Sequence, residues 1–137
     1  MRIWPGRTKS FPNFHLRRKK RLLNEGVSRR SEIWLVNWNS ARGCEQVGIR
    51  PALIIQNDIG NERSPTTIVL AISGSVKMYP MNVYVEPPEG VLSRPCIVKA
   101  SQILTISADR LEKRLGKLGK ATMAKVNEAV RLSLNIP

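Results

Sequence analysis

Histidine, cysteine and acidic residues are all scarce in this 137-residue chain. The only histidine, His15, stands in a basic N-terminal stretch. One chain can therefore build neither a paired-histidine acid/base site nor a histidine-rich metal site. The two cysteines, Cys44 and Cys96, lie far apart and form no Cys-x-x-Cys pair. That argues against a zinc knuckle or a disulfide framework and makes a reduced, cytoplasmic compartment the default. The longest charge-free run, Ser64 to Val76, is too short and too polar to span a bilayer. Met1-Arg2-Ile3-Trp4-Pro5 is not followed by an apolar run, so no secretory signal is expected. Against 10 Asp and Glu stand 23 Lys and Arg, a net charge of +13. Such an excess points to a polyanionic partner, nucleic acid before an anionic membrane surface.

Apolar residues make up 42%, enough at this length for one domain with a modest core. The charge is uneven. Residues 1–29 carry nine Lys or Arg and one acid, Glu25, a balance of +8. The run Arg17-Arg18-Lys19-Lys20-Arg21 repels itself and favours an extended, solvated chain. Residues 1–29 are thus expected to be a disordered basic extension, with the folded domain over 30–137. Three readings of the extension stand: an arm that adds non-specific affinity for nucleic acid, a leader without a role, or an organelle transit peptide.

From Arg30 the texture changes. Ile33-Trp34-Leu35-Val36-Asn37-Trp38, Pro51–Gln56, Thr66–Ile72 and Asn82–Val85 read as strands, being β-branched, aromatic or alternating. Cys96–Lys99 and Gln102–Ile106 read as two more. Asp58-Ile59-Gly60-Asn61 and Ser64-Pro65 read as turns. Leu111, Leu115 and Leu118 suggest a short helical turn interrupted by Gly116 and Gly119. Met123, Val126, Val130 and Leu134 recur at three- and four-residue steps and form the apolar stripe of a terminal amphipathic helix. Five or so short strands with such a helix predict a mainly β fold, a small and strongly bent sheet or barrel.

The densest segment runs Glu32-Ile33-Trp34-Leu35-Val36-Asn37-Trp38, then Gly43-Cys44-Glu45-Gln46, then Arg50-Pro51-Ala52-Leu53-Ile54-Ile55-Gln56-Asn57-Asp58. It is followed by Asn61, by Ser64-Pro65-Thr66-Thr67-Ile68-Val69, and later by Gln102-Ile103 and Thr105-Ile106. In order and spacing this resembles the MazF/PemK family of toxin endoribonucleases, from about Arg30 to Leu134. The resemblance implies an SH3-like (CcdB/MazF-like) small barrel with appended helices, usually a homodimer. It implies cleavage of single-stranded RNA at short sequences with neither metal nor cofactor, and inhibition by a cognate acidic antitoxin. It maps the residues around the scissile phosphate onto Gly43-Cys44-Glu45-Gln46, Arg50 and Ser73, and those near bases onto Gln46, Asn57 and Gln102. Three positions depart from the family's usual pattern: Ser31 stands where Gly is usual, Cys44 where Ser is, and Ser73 where Thr is. The catalytic groups are expected to survive these changes, with rate and cleavage sequence the properties affected.

The residue chemistry agrees. RNA carries its own nucleophile, the 2′-hydroxyl, so the protein need only align it, handle two protons and stabilise the phosphorane. Arg50 offers a planar, permanently charged fork for phosphate oxygens. A well-placed donor to transition-state charge is worth about 3–4 kcal/mol. Glu45 is the candidate base, because a guanidinium hardly deprotonates. Ser73 can donate a hydrogen bond. Each residue also has a plain structural reading: Glu45 and Arg50 as a loop salt bridge, Ser73 as a strand-end hydroxyl bonded to backbone. Trp34 and Trp38 could stack on bases, though core packing suits them better. Lys113, Arg114, Lys117 and Lys120 form a basic run that suits an acidic antitoxin, RNA backbone or bare solvent. The alternatives to a nuclease are a non-catalytic toxin of the same fold acting on DNA gyrase, and a degenerate RNA-binding module.

Overall fold

The computed structural model describes residues 26–39 and 48–137. Most of the basic extension, and the loop residues Gly43, Cys44, Glu45 and Gln46, lie outside the described residues. Six strands form one antiparallel sheet: β1 Glu32–Asn37, β2 Ile49–Ile54, β3 Thr66–Ser73, β4 Asn82–Val85, β5 Cys96–Ser107 and β6 Leu111–Lys117. Among the described residues two α-helices accompany them, α1 Asp58–Arg63 and α2 Lys120–Leu134. The strand order is β4-β5-β3-β2-β1-β6.

Alternation divides the apolar residues between the two faces of the sheet. Ile33, Leu53, Leu70, Ile72, Val83, Val85 and Val98 pack with Met123, Val126 and Ala129 of α2. Trp34, Val36, Trp38, Ala52, Ile54, Val69, Ile106 and Leu111 form a second cluster on the other face. Both tryptophans are core: Trp34 is fully buried and Trp38 is 1% exposed. The Trp34 indole N–H donates to Glu32, whose buried carboxylate also accepts from the Arg29 amide and from Arg114. A base-stacking role for this pair is thereby excluded in the folded domain. Arg114, from the basic run, is committed to that carboxylate. Lys113 and Lys117 stay exposed on an edge strand, where charge discourages pairing with another chain.

β4 and β6 are the two edges of the sheet and do not pair with each other among the described residues. The seam is bridged by a short turn, Glu89–Val91. Gly90, at φ +70, lies against Ile33 and Leu118, and a Cβ on Gly116 would meet the Gly90 carbonyl oxygen at 2.6 Å. Glu89 reaches on to α2, accepting from the Gly119 amide at 2.9 Å and the Thr122 hydroxyl at 2.8 Å. A carboxylate there answers the open amides and partial positive charge of a helix start. The expected barrel is thus a strongly curled sheet latched by a turn.

Three local expectations are corrected. Leu111–Lys117 is a strand, not a helical turn: the β1–β6 pairing carries register shifts at Ile33/Trp34 and Leu35/Val36. Each shift spoils strict alternation and leaves a leucine spacing that mimics a helix. Cys96–Lys99 and Gln102–Ile106 belong to one 12-residue strand, broken in pattern by an irregularity where Leu70 faces Ile103 and Ala71 faces Lys99. Asp58–Arg63 is a single helical stretch rather than an open turn, started by Asn57, whose Oδ1 accepts from the Gly60 amide at 2.8 Å. The stripe on α2 is confirmed at Met123 and Val126, but Leu134 is 53% exposed. The helix closes there, with Asn135 left-handed at φ +56 and Ile136 N–H bonded to the Arg131 carbonyl.

Candidate active site

The β2–β3 register pairs Ala52 with Ala71, Leu53 with Leu70 and Ile54 with Val69. Continued by two residues it sets Arg50 across from Ser73. Cross-strand partners share a face, as do residues two apart on one strand, so Arg50 and Ser73 are both on the face of the Ala52–Ala71 pair, on neighbouring strands. Arg50 is exposed and faces Val36 on its other flank. Pro51 removes one amide from the ladder and fixes the chain just past the arginine. Ser73 ends β3, and its Oγ accepts a hydrogen bond from the Ser75 amide at 3.1 Å. That bond orients the hydroxyl and uses it as an acceptor, so its proton is still available to donate.

Gln102 belongs to the irregular segment of β5, between the Ala71–Lys99 and Leu70–Ile103 pairings, and is half-buried. It therefore stands beside β3 a short way down the strand from Ser73. Lys99 faces Ala71 on one side and Asn82 on the other, on the same face as Ser73 and Arg50. Sequence reasoning passed over Lys99. The available signal was one charge in the otherwise apolar run Cys96-Ile97-Val98-Lys99-Ala100.

Asn57 lies elsewhere. It follows the far end of β2 from Arg50, roughly 20 Å along the strand direction at about 3.3 Å per residue. Its Oδ1 is the α1 cap, which leaves the amide nitrogen for any ligand. The neighbouring polar residues of the motif are internal struts. Gln56 Nε2 donates to Asn61 Oδ1 and to the Thr66 carbonyl, and Asn61 Nδ2 donates to the Gln56 carbonyl. Thr67 Oγ1 donates to Asn61 Oδ1, and Asp58 accepts from the Arg30 amide.

Cys96 is buried, and burial pushes its thiol up to about 11, so it stays protonated and inert at neutral pH. Among the described residues no group of three or more His, Cys, Asp or Glu could hold a metal ion. No described helix is long and apolar enough to cross a membrane. Between residues 78–84 and α2 lies a cleft of about 720 Å³ lined by Met78, Tyr84, Ala129 and Leu132, among others.

A curled β domain that presents an exposed guanidinium and a hydroxyl on neighbouring strands is suited to handling phosphate groups. The comparisons make this specific. Residues 29–134 match the family model described as PemK-like, MazF-like toxin of type II toxin-antitoxin system. The chain is 38% identical over 112 residues to an endoribonuclease MazF of Staphylococcus saprophyticus, covering 80% of this chain and 93% of that protein. In fold it is similar to a mycobacterial endoribonuclease solved in complex with its cognate antitoxin (TM-score 0.69, 23% identity, 81% of this chain and 98% of that one). It is equally similar to a MazF from Deinococcus radiodurans (TM-score 0.69, 22% identity, 80% and 98%). The chain belongs to the PemK-like, MazF-like toxins of type II toxin–antitoxin systems.

Proposed function

We infer that the chain is an endoribonuclease toxin that cuts single-stranded RNA by letting the ribose attack its own phosphodiester. The 2′-oxygen bonds to phosphorus and the bond to the 5′-oxygen breaks. The 2′-hydroxyl proton passes to a base and the 5′-oxygen gains a proton as it leaves. The products are a 2′,3′-cyclic phosphate (or, after hydrolysis, a 3′-phosphate) and a 5′-hydroxyl. Arg50 neutralises charge growing on the equatorial phosphate oxygens, Ser73 donates to one of them, and Glu45 takes the 2′-proton. Gly43, Cys44 and Gln46 line the phosphate with Glu45, Gln102 contacts a base near the cut, and Asn57 meets a nucleotide farther along the strand. No metal or cofactor enters the scheme.

The observation that carries this reading is the common face of Arg50 and Ser73 on β2 and β3. The exposed apolar residues Met78, Tyr79 and Leu132 around the cleft suit a protein interface, which supports a homodimer. The net charge of +13 suits an acidic antitoxin as well as RNA. Residues 1–29 act as a basic extension to a domain spanning 30–137, and the protein works in the cytoplasm. The test is cleavage of an RNA bearing one 2′-deoxy sugar at the mapped cut site, with EDTA present. Cutting of the all-ribose strand and silence at the deoxy position is expected. A cut at the deoxy position would overturn attack by the neighbouring hydroxyl.

A further inference from the structure

Lys99 is the unexplained charge of the domain. It sits in the middle of β5 between buried Val98 and buried Ala100 and is itself half-buried. Its side chain makes no hydrogen bond or ion pair with any described residue. A lysine whose stem is partly covered and whose ammonium has no counter-charge among the described residues is available to an anion. Its cross-strand neighbours are uncharged: Ala71 on β3 and Asn82 on β4.

The register shows where that charge sits. Ala52, Ala71, Lys99 and Asn82 form one row across β2, β3, β5 and β4. Arg50 and Ser73 stand one step up the same face. Strand spacing and rise put the Lys99 backbone roughly 8 Å from that of Ser73. A flexible four-carbon stem spans the remaining gap to an anion held between the two.

We propose that Lys99 is a positioning residue of the cleavage site, holding the phosphate next to the scissile one and so fixing the RNA register against Arg50 and Ser73. The proposal rests on the reading of Arg50 and Ser73 as the cleavage site. A lysine here acts as a point charge and adds affinity, not base discrimination.

The experiment is steady-state cleavage of a short single-site RNA by the full chain over a range of salt concentrations. It compares wild type, Lys99→Met, Lys99→Gln, Lys99→Arg and Arg50→Ala. Both neutral variants should raise KM roughly 10-fold, the loss expected for one charge-assisted contact, with kcat within about 2-fold of wild type. The salt slope of binding should shrink by about 0.7, one phosphate contact on a single strand. Lys99→Arg should restore KM and slope together, which a packing defect would not allow. Lys99→Gln serves if Lys99→Met folds poorly. An inactive Arg50→Ala beside neutral Lys99 variants with wild-type KM and slope would overturn the proposal and leave the site reading intact. A fully active Arg50→Ala would remove the site reading, and this proposal with it.

Discussion

The two ends of β2 are equally polar in sequence and opposite in use. At one end, Gln56, Asn57, Asp58 and Asn61 bond to their own chain, in a helix cap at Asn57, a bond from the Arg30 amide to Asp58, and a strut between β2, α1 and β3. Asn61 is 6% exposed. At the other end Arg50 is exposed, on the same face of the sheet as the strand-end Ser73 and the half-buried Lys99. Groups bonded to one another in this way stiffen the domain, whereas the exposed Arg50 stands at the end of β2 that the proposed cleavage site occupies. Polarity in a motif therefore does not by itself mark a binding residue; where its hydrogen bonds go does.

The comparison breaks most sharply at Arg50. Arg50→Ala should lower kcat at least about 100-fold, the loss of one good donor to transition-state charge, while changing stability by less than about 1 kcal/mol. Rapid-quench cleavage and a melting curve on the same preparation check both halves. Asn61→Ala should do the reverse. It strands the Gln56 carbonyl and the Thr67 hydroxyl in a buried place and should cost about 2–3 kcal/mol of unfolding free energy in urea. Its kcat below the melting range should stay near wild type. If Asn61→Ala abolished cleavage in folded protein, the division between the two ends would be wrong.

Asn57 sharpens the same division, since it is a cap by geometry and a proposed base contact by resemblance. Asn57→Ala should lose about 1 kcal/mol of stability through the cap. Asn57→Asp keeps the accepting oxygen and adds a charge that suits a helix start, so stability should hold. It removes only the amide nitrogen. A changed base preference at a position away from the cut, read by sequencing the cleaved ends, is expected of Asn57→Asp. Unchanged preference would make Asn57 a cap and nothing more.

How much of this was legible beforehand follows from local physics. β1 through β4 could be read because β-branched and apolar runs bounded by turn residues leave few alternatives. β6 was misread because two register shifts against β1 disturb the period on which such a reading depends. β5 was cut in two for the same reason at Ala100 and Ser101. Six residues of α1 are too few to show a helical period. Arg50 and Ser73 became neighbours through strand register, a long-range property that a single sequence carries only by resemblance to a family. Lys99 was missed because the same irregularity hid which face of β5 it occupies.

Ser31 provides the smallest effect and the most local. The resemblance marked it as standing where the family usually has glycine, and its backbone is left-handed, at φ +79. The conformation is held from both sides: its amide donates to the Ile54 carbonyl at 2.9 Å, and its carbonyl accepts from the Leu118 amide at 2.9 Å. Serine pays for a Cβ in this region, an order of 1 kcal/mol, and glycine does not. Glycine returns part of that gain as extra freedom in the unfolded chain. Ser31→Gly should therefore stabilise by about 0.5 kcal/mol. Its bonds lie at the Ile54 end of β2, away from Arg50, so kcat and KM should not move. A lower urea midpoint would show that the serine hydroxyl supplies more than its backbone costs. A changed kcat would show that strain at the strut end reaches the cleavage face, and the two ends of β2 would have to be treated as one coupled unit.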